Sequence, residues 1–333
     1  MGHEQTSYLH SLAKIFLSAL LAAAAGNLAF GQEQAPKAFQ SPDLAAAALI
    51  EAAKSNDLPS IVELLGPEAE SWIRSGDEVQ DEQGRKEFVA AYDTKNEIEP
   101  DGDDRATLVV GEDGFPFPIP VVKTADGWVF DAEEGKEELL NRRIGRNELN
   151  SIQALLAIAD AQFEYAQEDR NGNGLREYAT KFRSSEGKRD GLFWPTEDGE
   201  PPSPLGELAA QASAEGYDRQ DGEETTDDEP SAYHGYRFKL LQRQGADAPG
   251  GAFDYVAAGS QIGGFAVIAY PATYGNSGIM TFQVNHEGVV YEADLGEETA
   301  EIVAGIDAFD PGSDWGKVDP LDWQLAEESV AEQ

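Results

Sequence analysis

The 333-residue chain contains no cysteine. Disulfides, thiolate nucleophiles, iron–sulfur clusters and cysteine-ligated zinc are excluded together. Histidine is nearly as scarce, and only His234 and His286 lie beyond the first 31 residues. Two histidines make a poor zinc site. No His-Glu-x-x-His pair, no Gly-x-Ser-x-Gly elbow and no Gly-x-x-x-x-Gly-Lys-[Ser/Thr] loop occurs. Gly275-Asn276-Ser277-Gly278 reads as a turn, which leaves His234 without a serine to activate. Basic residues are few, 24 against 63 acidic ones, for a formal charge of −39. That balance disfavours nucleic acid and anionic membrane surfaces, both polyanions. It reads as a well-solvated acidic surface, or as one in which some carboxylates hold divalent cations.

Long apolar runs are missing apart from Ile15–Ala25. That run has the length of a signal-peptide core, with Lys14 before it and Ala29-Phe30-Gly31 offering small residues for cleavage after Gly31. The alternative is an uncleaved anchor, although the run is short for a membrane span. We therefore expect a signal peptide over residues 1–31, a polar linker over 32–40, and a periplasmic or secreted protein with no stable membrane span after its removal.

What is present reads as α+β. Residues 41–140 form one expected domain. Ser41-Pro42-Asp43 is a helix start, and Leu58, Ile61, Leu64 and Leu65 mark a second helix closed by Gly66-Pro67. A third helix is expected over about Gly84–Lys95, then strands at Ala106–Val110, Phe117–Lys123 and Trp128–Phe130, the last pair turning at Asp126-Gly127. Helices followed by a bent sheet resemble the cystatin-like, SnoaL-type folds. Trp72, Tyr92, Phe117 and Trp128 would line the pocket of such a cone, or fill its core. The prolines of Phe115–Pro120 cannot donate to a ladder, so this segment is an edge strand or a polyproline stretch.

A long helix over Glu137–Glu168 leads into a second expected domain, residues 141–319, ahead of an acidic tail over 320–333. Tyr233–Tyr291 is the most strand-rich stretch. Its bursts of aromatic and β-branched residues are closed by glycine, proline or asparagine, the pattern of an antiparallel sheet. Phe265–Tyr270 reads as a buried central strand.

The candidate sites lie before that sheet. Arg142, Arg143 and Arg146 form either an anion site of guanidinium forks or an ion-pair network between domains. Lys188, Arg189 and Trp194 form a basic-aromatic cluster that could stack on a sugar or aromatic ligand, or anchor a loop. Asp169, Asn171, Asn173 and Gly174 fit positions 1, 3, 5 and 6 of a calcium loop, with Glu177 at position 9. Thr180 stands where the closing glutamate belongs, so the alternative is a helix ending in Asn-Gly turns. Glycosidase chemistry needs two carboxylates in a cleft, and Glu148 and Asp190 are the pair to test. Two functions follow. One is a non-catalytic envelope module that binds a partner protein or small ligand, with calcium as its one candidate cofactor. The other is a carboxylate-dependent hydrolase acting on glycan or cell-wall material.

A group of motifs carries a family resemblance. They are Phe117–Pro120, Arg142–Glu148, Gly187–Gly191, Pro202–Gly206, Tyr233–Tyr236, Gly250–Tyr255, Gly263–Ala266 and Tyr274–Gly278. From about Phe39 to Asp319 the chain resembles the bacterial exported family called domain of unknown function 2950. The resemblance implies export and a domain span, and supplies no catalytic residue. More weakly, the long helix, Asn-Gly loop and sheet of the second domain are similar to the globular heads of pilin-like proteins.

Overall fold

Ser41 caps the first helix, α1 (Pro42–Lys54), by accepting the Leu44 N–H, and Asp57 caps α2 (Leu58–Leu65) through the Ser60 N–H. The computed structural model describes residues 36–197, 199–217 and 231–319. The expected signal peptide, the first residues of the linker, most of the acidic Asp218–Ser231 stretch and the tail over 320–333 lie outside the described residues.

α3 runs Glu78–Thr94, six residues earlier than the apolar spacing indicates, because Asp77 caps it and accepts the Gln80 N–H. The chain then builds a sheet from β1 (Asn96–Pro100), β2 (Arg105–Val110), β3 (Phe115–Pro116), β4 (Val121–Thr124) and β5 (Gly127–Phe130). The order is β1-β2-β4-β5, all antiparallel, with β3 also paired to β2. The Phe117–Lys123 strand is interrupted. The prolines at 118 and 120 lie outside the ladder, and pairing resumes only at Val121. Leu49, Ile61, Leu64 and Trp72 pack on Ile119, Val121 and Phe130 in one core, against which Phe117 and Trp128 also lie.

α4 (Ala132–Tyr165) spans 34 residues without a break and passes through position 140. Its second half presents Ile152, Leu155, Ile158 and Tyr165 at helical spacing to the second sheet. α5 (Gly206–Ala214) buries none of its residues. The second sheet is built from β6 (Tyr236–Leu241), β11 (Ala266–Pro271), β12 (Met280–Asn285), β13 (Val290–Asp294) and β15 (Gly316–Lys317). Shorter pieces are β7 (Arg243–Gln244), β8 (Phe253–Asp254), β9 (Val256–Ala257), β10 (Ser260–Gln261) and β14 (Ala308–Phe309). The strand order is β15-β13-β12-β11-β6, antiparallel throughout.

β11 is buried on both faces, as its unbroken apolar run requires. Val267 and Ala269 face α4, whereas Ala266 and Ile268 join Val303 of α6 (Thr299–Gly305) and Phe309 on the other side. Lys239 closes α6 by donating to the carbonyls of Val303, Ala304 and Ile306. The molecule is thus mixed helix and antiparallel sheet. No described helix is long and apolar enough to cross a membrane.

Candidate functional site

The first half of α4 carries the sequence Arg142–Glu148, and its helical geometry sorts those residues by direction. Arg143 and Asn147 stand one turn apart on one face. Arg143 donates to the Trp72 carbonyl at 2.8 Å and to the Asn276 side-chain oxygen. Asn276 in turn donates to the carbonyls of Ser71 and Arg74. The fully buried Asn147 donates to the Ser277 carbonyl at 2.8 Å and accepts from Gln80 at 2.7 Å. Burial pushes the Arg143 pKa down, with Asp81 working against that shift and Arg85 with it. Its direct hydrogen-bond partners are neutral oxygens, so the cation is held by dipoles rather than by an ion pair.

Glu148 points to the start of β12, where one carboxylate oxygen accepts the N–H groups of Ile279 and Met280, each at 3.0 Å. Arg142 lies 4.7 Å over the Phe115 ring and pairs with Glu138 at 2.6 Å. Arg146 is exposed. The three arginines therefore diverge, and only Arg143 enters the joint between the first sheet's helices and the second sheet.

The other side of that joint contains residues the sequence did not nominate as a site. Tyr233 and Tyr236 exchange backbone hydrogen bonds across His234 and Gly235, both with positive φ, which is a two-residue primed turn. The buried Asp77 receives the Gly235 N–H at 2.9 Å and the Tyr217 hydroxyl at 2.8 Å. Tyr217 accepts the His234 N–H at 3.1 Å. A side chain at Gly235 would strike Asn147, its Cβ coming to 2.3 Å from the amide nitrogen. The His234 ring contacts Glu215 at 3.0 Å. Burial lowers the His234 pKa, opposed by Glu215 and Asp77. Burial also raises Tyr217 far above the ordinary phenol range. The one signal for Asp77 was its pattern, an acid three residues before Gln80 at a helix start.

The second candidate cluster lies between α4 and α5. Trp194 is buried, with the Arg170 and Arg189 guanidinium groups 5.6 and 5.4 Å from its ring. Arg189 also approaches Glu200 at 3.8 Å, and its carbonyl accepts the Tyr165 hydroxyl at 2.7 Å. Lys188 is exposed. Asp190 accepts the Ser185 N–H at 2.7 Å, with the Ser185 hydroxyl and the Lys181 ammonium each at 3.0 Å. Burial works against its charge, but these donors outweigh it and hold the carboxyl at about 2. Asp190 and Glu148 share no hydrogen-bond partner among the described residues, and each already accepts at least two donors.

Asp169–Glu177 is a loop folded around its own carboxylates. Asp169 accepts the N–H groups of Gly172, Asn173 and Gly174. The side-chain oxygens of Asn171 and Asn173 accept the N–H groups of Asn173 and Leu175, while their amide nitrogens both donate to Glu177. Glu177 lies at this loop, and amide nitrogens rather than oxygens face it. A groove of about 510 Å³ lies elsewhere, against α1 and α2, lined by Lys37, Glu51, Lys54 and Glu63 among others. None of the nominated residues lines it.

A family model described as protein of unknown function, DUF2950, matches residues 36–318. No curated protein and no solved structure matches the chain.

Proposed function

The chain belongs to the DUF2950 family, and from that premise we propose that it is an exported, non-catalytic binding module of the bacterial envelope. The observation that supports this most is the engagement of the two candidate carboxylates. Glu148 is tied to two backbone N–H groups, and Asp190 to a backbone N–H, a hydroxyl and an ammonium. A glycosidase acid needs a raised pKa and a free face toward the glycosidic oxygen. Asp190, held at about 2, has the opposite tuning.

In this reading the helices and sheet of residues 41–140 are of the cystatin-like type. The long helix lying across an antiparallel sheet is of the pilin-head type. Arg142, Arg146, Lys188 and Arg189 remain the arginine- and lysine-cluster members that reach solvent and can meet a ligand. Calcium stabilises the Asp169–Glu177 loop by drawing the Asn171 and Asn173 amide oxygens inward beside the Asp169 and Glu177 carboxylates, all hard oxygen donors. Thermal melts with added calcium and with chelator test that point. The midpoint is expected to rise with calcium, and an unchanged midpoint removes the metal from the proposal.

The proposal as a whole is tested by incubating the purified chain with bacterial cell-wall glycan and chromogenic glycosides. No turnover is expected. Turnover abolished by Glu148→Gln or Asp190→Asn would establish the hydrolase instead. Export is checked by N-terminal sequencing of the protein recovered outside the cytoplasm, with Gln32 expected as the first residue.

A further inference from the structure

Asn171-Gly172 and Asn173-Gly174 are the only Asn-Gly pairs in the chain, and they adjoin each other. An asparagine that precedes glycine can react with its own backbone. The glycine nitrogen attacks the side-chain carbonyl carbon, and a neighbour without a Cβ leaves that approach unhindered. All four residues are exposed. Both glycines have positive φ, 76° and 87°, and a Cβ built on either would meet nothing within 4 Å. Water therefore has open access to both pairs.

The loop supplies a partner for each group that such a ring closure moves. The attacking N–H of Gly172 donates to one Asp169 carboxylate oxygen and that of Gly174 to the other, each at 2.8 Å. Asp169 is thereby within reach to take the proton as general base. The side-chain oxygen of Asn171 accepts the Asn173 N–H at 3.1 Å, and that of Asn173 accepts the Leu175 N–H at 2.8 Å. Negative charge develops on these oxygens when the carbonyl carbon becomes tetrahedral, so the two N–H groups act as oxyanion donors. The leaving nitrogens of Asn171 and Asn173 both donate to one oxygen of the buried Glu177, the second at 2.9 Å. A hydrogen bond to the glycine nitrogen alone would only hold it in place. Here base, oxyanion donor and leaving-group partner recur together at both pairs.

We propose that this loop is a self-modifying site, in which the native fold promotes succinimide formation and deamidation at Asn171 and Asn173. The bond from the glycine nitrogen to Asn Cγ forms, and the bond from Cγ to Nδ2 breaks. The proton that leaves the glycine nitrogen ends on the departing ammonia. Water then opens the imide at one carbonyl or the other and leaves aspartate or isoaspartate. No electrons change hands, and water is the one co-reactant. Each conversion replaces an amide donor beside Glu177 with a carboxylate. The aspartate products stand at positions 1, 3 and 5 of the loop together with Asp169, where charge count sets cation affinity. The modification does not depend on the binding-module reading or on calcium, and it stands if either fails.

The test is timed incubation of the full chain near neutral pH with chelator present, followed by peptide mapping that separates asparagine, aspartate and isoaspartate. The same chain unfolded in guanidinium chloride at the same pH is the reference. Conversion at both pairs is expected about tenfold faster in the native chain, with isoaspartate among the products as the mark of the imide. An unfolded rate that equals or exceeds the native one overturns the proposal, because the fold would then protect the pairs. Aspartate without isoaspartate also overturns it, since no imide would have formed. Asp169→Asn keeps an acceptor oxygen for the glycine N–H groups but has no carboxylate to take their protons. It is expected to slow both conversions about fivefold with the melting curve in place, and unchanged rates in a folded variant reject Asp169 as the base. The native-to-unfolded ratio uses no variant, so it decides the matter even where Asp169→Asn does not fold.

Discussion

Arg143 and Arg189 bring the same guanidinium into opposite surroundings. Arg143 lies inside the joint between the first sheet's helices and the second sheet, bonded to a carbonyl and an amide oxygen. Arg189 lies half in solvent, over one face of Trp194 and near Glu200. The first is one member of a connected network that also contains Asn147, Gln80, Asn276, Asp77 and Gly235. The second is one of several partly redundant contacts, since Arg170 lies near the same ring. Charge type therefore says little about what an arginine does here. Desolvation and the number of groups that depend on it decide, because a buried polar group left without a partner costs more than a surface pair contributes.

The largest expected effect comes from breaking the buried side of this comparison. Asn147→Leu would leave the Ser277 carbonyl and the Gln80 amide without their partner. At about 1–3 kcal/mol for each stranded group, the loss should be roughly 4 kcal/mol in urea unfolding. Gly235→Ala should act on the same point, since it combines a left-handed backbone with a Cβ 2.3 Å from the Asn147 amide. If Asn147→Leu unfolds within about 1 kcal/mol of the parent, the joint does not depend on Asn147 as described and the comparison fails.

How much of this was legible in the sequence follows from the range of the signals. α1, α2 and the second half of α4 carried local evidence in their caps and apolar spacing, and β6, β11, β12 and β13 in their apolar runs. β1 carried none. Asn96–Pro100 is mostly exposed and two of its five residues are glutamates, so nothing in its composition asks for a strand. The start of α3 was missed for the same reason, with Val79 as its lone early apolar residue. The site partners were out of reach for a different reason. Arg143 and Asn276 are 133 positions apart, and Asp77 and Gly235 are 158 apart. Patterning shows which face of α4 is polar, but it does not say which turn will meet that face. The arginine spacing suggested a shared site, whereas the helix sends Arg142, Arg143 and Arg146 in three directions.

On the surface side, effects should be smaller and graded. Asp190 has a folded pKa of about 2, below the ordinary aspartate value of 3.8. A depressed carboxylate contributes stability above its unfolded pKa and loses it as pH falls from about 4 to about 2. Its side chain is 24% exposed, which screens the contribution to about 1 kcal/mol at neutral pH. Asp190→Asn should show that deficit at pH 7 in urea unfolding and converge on the parent near pH 2. Equal deficits at both pH values would mean that packing, not charge, explains it. Arg189→Ala should cost less, under about 1 kcal/mol, because Arg170 remains beside Trp194 and the Glu200 pair is exposed. A loss as large as that of Asn147→Leu would erase the distinction between the two regions.

The smallest effect is a slope rather than a step, and it sits where the joint meets solvent. His234 is half-buried against Tyr217 and Tyr233, 3.0 Å from Glu215, with Asp77 behind Tyr217. Burial lowers its folded pKa despite both carboxylates. A histidine held neutral in this way resists a proton that the unfolded chain accepts, so stability should decline as pH falls through about 6.5 and continue to decline until the folded pKa is passed. His234→Asn is the informative variant. Asparagine tolerates the positive φ that the turn requires at this position, yet it cannot titrate. The fall in melting midpoint between pH 7.5 and 5.5 should be shallower in this variant than in the parent. A parallel fall in both would assign the slope to the general acidity of the chain, and a steeper fall in the variant would mean that the Glu215 contact outweighs burial at this ring.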